Sequence, residues 1–118
     1  MVSALKDSVG KWGEEYAARF LVRQGMELLA KNLRTDVAEV DLLLTDENTL
    51  VLCEVKTRTS QRAGLAGEAI DAPRIERLRK TAEIVALDYP AFASVRVDAL
   101  LIDVAADKIS VTHIRGLE

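Results

Sequence analysis

The sequence predicts an α/β or α+β sandwich in which helices cover a sheet. Three observations carry this. Two Val- and Leu-rich runs, "AEVDLLLT" and "TLVLCEVKT", meet at a short polar turn; helical periodicity flanks them on both sides; and the resulting order is helix, three strands, helix, two strands. With 118 residues, 49% of them apolar, the chain fits one domain over residues 1–118 with a real but modest core.

The first helix is expected to start near Asp7 or Ser8, either of which can cap it, and to stop at Gly25 after Gln24. "MELLAKNLRT" is a weak strand candidate, and the two Val/Leu runs are firm ones joined by "DEN". "RTSQRAGLAGE" reads as a basic, glycine-bearing loop. A second helix begins near Pro73, with Ile75, Leu78, Ala82 and Val85 on one face, and Pro90 bars its continuation. "SVRVDALLIDV" and "KISVTHI" supply the last two strands.

Composition excludes several function classes. Cys53 is the only cysteine, so there is no internal disulfide and no cysteine zinc site; its apolar run marks it as a buried small hydrophobe. His113, the only histidine, lacks the neighbours that acid–base catalysis needs and reads as a surface or packing residue. The N-terminus lacks the apolar core of a signal peptide, and no apolar run approaches a membrane span, so a cytoplasmic protein without a membrane partner is expected. A net charge of −3 predicts no global attraction to nucleic acid, so any such role needs a local basic patch.

Alternation along the two firm strands puts Glu39, Asp41 and Leu43 on one face and Val40, Leu42 and Leu44 on the other. On the next strand Leu50, Leu52, Glu54 and Lys56 share a face, opposite Val51, Cys53 and Val55. The turn suggests Asp46 opposite Thr49, which carries Leu43 to Leu52, Asp41 to Glu54 and Glu39 to Lys56. Opposed residues have Cβ atoms about 4.5–5.5 Å apart, and opposed like charges are destabilising. Lys56 can relieve one of the three acids, so either a hard divalent cation or bulk water must serve the others. On a helical wheel Glu14 falls inside the apolar arc of Val9, Ala17, Ala18, Phe20 and Leu21, whereas Glu15 falls on the polar side. Glu14 therefore points at the sheet and needs a partner, either a metal or a cation such as Lys56 or a loop arginine. Gly13 costs helix stability, and close approach of helix to sheet would explain it. Residues 56–80 hold seven basic residues, Lys56, Arg58, Arg62, Arg74, Arg77, Arg79 and Lys80, against three acids. That local excess could grip a phosphate backbone across the acids or could be a solvated helix face.

Asp41 followed by Glu54-Val55-Lys56 on the next strand resembles the PD-(D/E)XK signature of restriction-endonuclease-like nucleases, although the Pro-Asp step of that name is absent. More closely, the chain resembles the small bacterial YraN-like family, related to archaeal Holliday junction resolvases. "GKWGEEYAARFL", "AEVDLLL", "LCEVKTR", "AGLAGEAI", "RIERLRKTA" and "RVDALLI" follow that family's order over nearly the full length. A lone Glu-x-Lys is common by chance; this ordered set is specific. Three positions depart from the pattern: Ala38 stands for the usual Gly, Arg74 for Lys and Val97 for Phe.

The resemblance implies a restriction-endonuclease-like core with a central mixed sheet of about five strands flanked by helices. It implies a catalytic set of Glu14, Asp41, Glu54 and Lys56, supported by Glu39. Mg²⁺ or Mn²⁺ would be held by Asp41, Glu54 and the Val55 carbonyl, with Glu14 direct or through water. Arg58, Arg62, Arg74 and Arg77 would then contact nucleic acid, most naturally DNA. The expected activity is metal-dependent endonucleolytic hydrolysis of phosphodiester bonds, with branched DNA as one candidate substrate, and cutting a junction twice would favour a homodimer. The alternative is a non-catalytic nucleic-acid-binding protein that keeps the fold. A structural adaptor is disfavoured, because a drifted site would have lost one of its charged members.

Overall fold

The computed structural model describes residues 2–59 and 70–117, with side chains from residue 9 onward. In chain order the elements are α1 (Val2–Arg23), β1 (Glu27–Arg34), β2 (Glu39–Asp46), β3 (Thr49–Arg58), α2 (Ala72–Ala86), β4 (Ser94–Val104) and β5 (Ile109–Ile114). The strands form one sheet in the order β1-β2-β3-β4-β5. Only the β3–β4 pair is parallel, which makes the sheet mixed, as the resemblance implied.

Helix α1 begins at Val2, earlier than the Asp7 or Ser8 caps suggested. A capping residue favours a start but does not impose one when the preceding residues can also be helical. The C-terminus does end at Gly25, which takes φ +104°. Met26 N donates to Leu21 O and Gly25 N to Val22 O, the Schellman pairing, while Leu21 and Met26 are both buried in one cluster. Helix α2 starts behind Asp71, whose carboxylate accepts from Arg74 N at 2.9 Å, with Pro73 in the first turn.

The sheet is covered on both faces. Ala17, Ala18 and Leu21 of α1 pack with Leu42, Leu44, Val51, Cys53, Leu100 and Ile102. Leu78, Ala82 and Val85 of α2 pack with Leu43, Leu50, Leu52 and Val97 on the other side. Two-sided burial explains why these strands read as near-continuous apolar runs. Cys53 is buried as expected, and burial pushes its thiol up. Val97, where the pattern has Phe, sits inside the α2 cluster.

At Gly13, α1 lies so close to β3 that a Cβ there would overlap the Thr57 hydroxyl. The helix glycine is thus explained by proximity to the strand that carries Glu54 and Lys56. Between β1 and β2, the Thr35 hydroxyl donates to Ala38 O at 2.7 Å and accepts from Val37 N and Ala38 N, which sets where β2 begins. Ala38 is not in the left-handed region, so the missing glycine costs nothing there.

Candidate active site at the parting of two strands

The hairpin register agrees with expectation from Asp46–Thr49 and Leu43–Leu52 as far as Leu42–Cys53. Beyond that pair the ladder between β2 and β3 stops. The Asp41 carboxylate then accepts from Val55 N at 2.8 Å, standing in for the carbonyl that the next ladder position would have supplied. The Val55 carbonyl leaves the strand on the same side as its N–H and so faces the same gap.

Two expectations change here. Val40 packs with Leu43 in the α2 cluster and not with Leu42 and Leu44, so strict alternation fails across Asp41. Glu39 does not oppose Lys56; its ladder partner is Arg34, and the Glu39 carboxylate lies 3.6 Å from the Arg34 guanidinium. Both follow from the parting: once Asp41 turns into the gap, the residues before it follow β1 and no longer follow β3.

The acid pair itself survives. Asp41 and Glu54 lie close enough for a carboxyl–carboxyl hydrogen bond. Burial foremost, then the Glu54 charge and that hydrogen bond, with Glu14 the smallest influence, outweigh the Val55 N–H and push the Asp41 carboxyl up to about 7. Glu54 has what Asp41 lacks. Arg74, from the first turn of α2, donates from Nε to Glu54 Oε2 at 2.8 Å and from Nη2 to Oε1 at 2.9 Å. The same Nη2 also donates to the Glu39 carbonyl at 3.1 Å. Arg74, expected to grip phosphate, is thus committed to the acid pair.

Glu14 is half-buried, close enough for its charge to reach Asp41, and pairs with no cation among the described residues. Glu15 is exposed, as the wheel indicated. Lys56 is exposed. Arg58 is held by Asp103 of β4 through Nε at 2.7 Å and Nη2 at 3.1 Å, so it braces the end of β3 against its parallel neighbour. Arg77 is exposed on α2, and Arg62 lies outside the described residues. A groove between α1 and β1, lined by residues including Ala18, Arg19, Val22 and Lys31, includes neither acid.

The donor chemistry of the notch fits a hard cation. Its acceptor atoms are carboxylate and carbonyl oxygens; Arg74 supplies positive charge to Glu54, while Asp41 has no cation bonded to it among the described residues. Among the described residues, no three acidic, histidine or cysteine side chains gather into a ready-made metal cage. The structure therefore brings together Asp41 and Glu54, with Glu14 outside the pair.

A second acidic centre was not singled out from the sequence. Asp98 of β4 is fully buried. It accepts from Arg96 Nε at 2.7 Å and Nη2 at 3.0 Å, from Gly116 N at 3.0 Å and from His113 Nε2 at 2.9 Å. Arg96 also reaches Asp46 at 3.2 Å, tying β4 to the end of β2. The available signal was Arg96 and Asp98 two residues apart in an otherwise apolar strand, with the lone His113 on the strand that follows.

Together, fold and site define an α/β protein whose mixed sheet, clad by a helix on each face, carries a pair of neighbouring acids where its second and third strands part. The chain belongs to the uncharacterised protein family UPF0102, whose model matches residues 13–102. It is 40% identical over 117 residues to a UPF0102 protein of Nocardioides sp., covering 98% of this chain and 94% of that one. To a UPF0102 protein of Frankia casuarinae it is 41% identical over 113 residues, covering 94% and 96%. A relative from Mycolicibacterium vanbaalenii is 33% identical over 111 residues, covering 92% of each. Among the described residues, no helix is long and apolar enough to cross a membrane.

Proposed function

We propose that this protein is a metal-dependent endonuclease that hydrolyses phosphodiester bonds in DNA, structured or branched DNA foremost, in the cytoplasm. The observation that carries this reading is the Asp41–Glu54 pair. Two carboxyl groups are kept together in a largely buried notch, and Asp41 has no cation directly bonded to it among the described residues. Stability alone gives no reason for such an arrangement, and sites where burial and like charge shift a carboxyl this far are typical of function.

Asp41, Glu54 and the Val55 carbonyl would hold Mg²⁺ or Mn²⁺, Glu14 joining through water, and the bound ion would supply Lewis-acid polarisation of the phosphate and a more acidic water. Asp41 must be unprotonated for this, and the Val55 N–H steadies it in that form. The exposed Lys56 ammonium would orient the attacking water and offset charge developing on the phosphate. Arg77 would draw the strand toward the notch. Arg58, pinned by Asp103, would keep the end of β3 in place beneath it. Cutting both strands of a junction would use two copies of the chain.

One observation favours a second reading, a nucleic-acid-binding protein without catalysis: both Glu54 oxygens are already taken by Arg74. A cleavage panel across single-stranded, duplex, nicked and four-way-junction DNA, with Mg²⁺ or Mn²⁺, decides between them. The nuclease reading expects metal-dependent cutting that falls at least 100-fold in Asp41→Ala, Glu54→Ala and Lys56→Ala, on the order of removing one strong transition-state contact. Binding that ignores the metal, with nothing cut, would establish the second reading.

A further inference from the structure

Arg74 occupies an electrostatically poor position for an arginine. It lies in the first turn of α2, at the helix's positive end, where the Asp71 cap takes the Arg74 N–H and no acidic residue stands within the turn itself. Helix formation therefore does not explain a cation here. The contact with Glu54 does: a planar fork meets both carboxylate oxygens, at 2.8 and 2.9 Å, and Nη2 also donates to the Glu39 carbonyl at 3.1 Å. Arg74 is thus anchored at the two places where β2 and β3 part. The arrangement is only partly shielded, with the Arg74 side chain 26% exposed and that of Glu54 13%. The guanidinium can therefore leave toward solvent without unpacking the core.

We propose that Arg74 is a built-in competitor for the metal position, a guanidinium that a divalent cation must displace from Glu54 before the site is assembled. This rests on the metal-dependent reading above and adds a gate to it. With Arg74 in place, both Glu54 oxygens are filled, and of the proposed direct ligands Asp41 and the Val55 carbonyl remain to attract an ion. Displacement frees the guanidinium beside the place where the phosphate would lie. A phosphodiester that takes the guanidinium removes the competitor, so phosphate and metal each favour entry of the other, and such coupling is reciprocal. The gate would keep a nuclease closed until nucleic acid is present.

The test is Mn²⁺ binding to the full chain by titration calorimetry at about pH 8, without nucleic acid and without any activity readout. Arg74→Gln removes the competing charge and should bind Mn²⁺ at least about fivefold more tightly than wild type. Arg74→Lys, whose single point charge cannot fork across both oxygens, should fall between the two. If Arg74→Gln fails to fold, the lysine variant carries the decision, and tighter binding than wild type is again expected. Equal or weaker binding in the Arg74 variants overturns the gate and makes Arg74 a support that holds Glu54 in place. Asp41→Asn separates this from the underlying reading. If it abolishes Mn²⁺ binding while the Arg74 variants behave as wild type, only the gate fails. If Mn²⁺ binds none of the proteins, or binds Asp41→Asn as it does wild type, the metal reading falls and the gate with it.

Discussion

Asp41 and Asp98 are two aspartates in one sheet with opposite circumstances. Asp98 is fully buried and fully served by the Arg96 fork, His113 and the Gly116 N–H. Burial by itself would raise its carboxyl, but these partners outweigh burial and hold it below the ordinary value. Asp41 is half-buried and pushed up to about 7, by burial foremost and then by the neighbouring Glu54, against one backbone donor among the described residues. Burial raises both acids, and the supply of donors decides which of them stays raised. Asp98 is built as a structural tie between β4, β5 and the C-terminal turn. Asp41 is built to be incomplete.

The strongest way to break this comparison is Asp98→Ala. It leaves His113 and Gly116 N without this acceptor and Arg96 with Asp46 alone, and a loss of about 3–5 kcal/mol is expected from urea unfolding at neutral pH. A loss near zero would show that the network is not a structural tie.

Asp41→Asn should move stability the other way. The folded carboxyl titrates near 7 against an ordinary 3.8, so the fold favours the protonated form. The stability from that preference is complete below about pH 4 and is lost as pH rises through 7. At about pH 8 the asparagine variant, neutral and still able to accept from Val55 N, should exceed wild type by about 2 kcal/mol, with the difference closing toward about pH 4. Asp98 has the reverse dependence: its lowered carboxyl contributes stability above the ordinary carboxylate range and loses it on acidification. Unfolding curves of wild type and Asp41→Asn across this range read the sign directly, and a variant less stable than wild type at about pH 8 would contradict the account of Asp41.

The smallest expected effect sharpens the contrast. Lys56 is exposed, so Lys56→Ala should change stability by no more than about 0.5 kcal/mol while abolishing any metal-dependent cleavage. A large stability loss would mean that Lys56 serves the fold and not the proposed chemistry.

Much of this was legible from local pattern. Period and turn chemistry located the five strands and α2; the two-residue turn set the register from Asp46–Thr49 to Leu42–Cys53; and Gly13 announced the close approach of α1 to the sheet, which the structure places at Thr57. The start of α1 at Val2 was missed because caps are permissive signals. The side on which Val40 packs was missed because alternation assumes an unbroken ladder, and Asp41 breaks it.

The sequence by itself determined which residues are apolar, at what spacing, and therefore which elements form and which faces they bury. It also brought Asp41 and Glu54 to one end of a hairpin, since a two-residue turn leaves little freedom in register. Only the tertiary structure decided the ion pairing. Arg74 reaches Glu54 across 20 residues of chain, Arg58 reaches Asp103 across 45 and Arg96 reaches Asp46 across 50. The physical reason is one of range. Hydrophobic periodicity is a property of neighbouring residues, whereas the partner of a charge is whatever the packed helices and strands bring within 3 Å or so of it, and that distance exists only once the fold is complete.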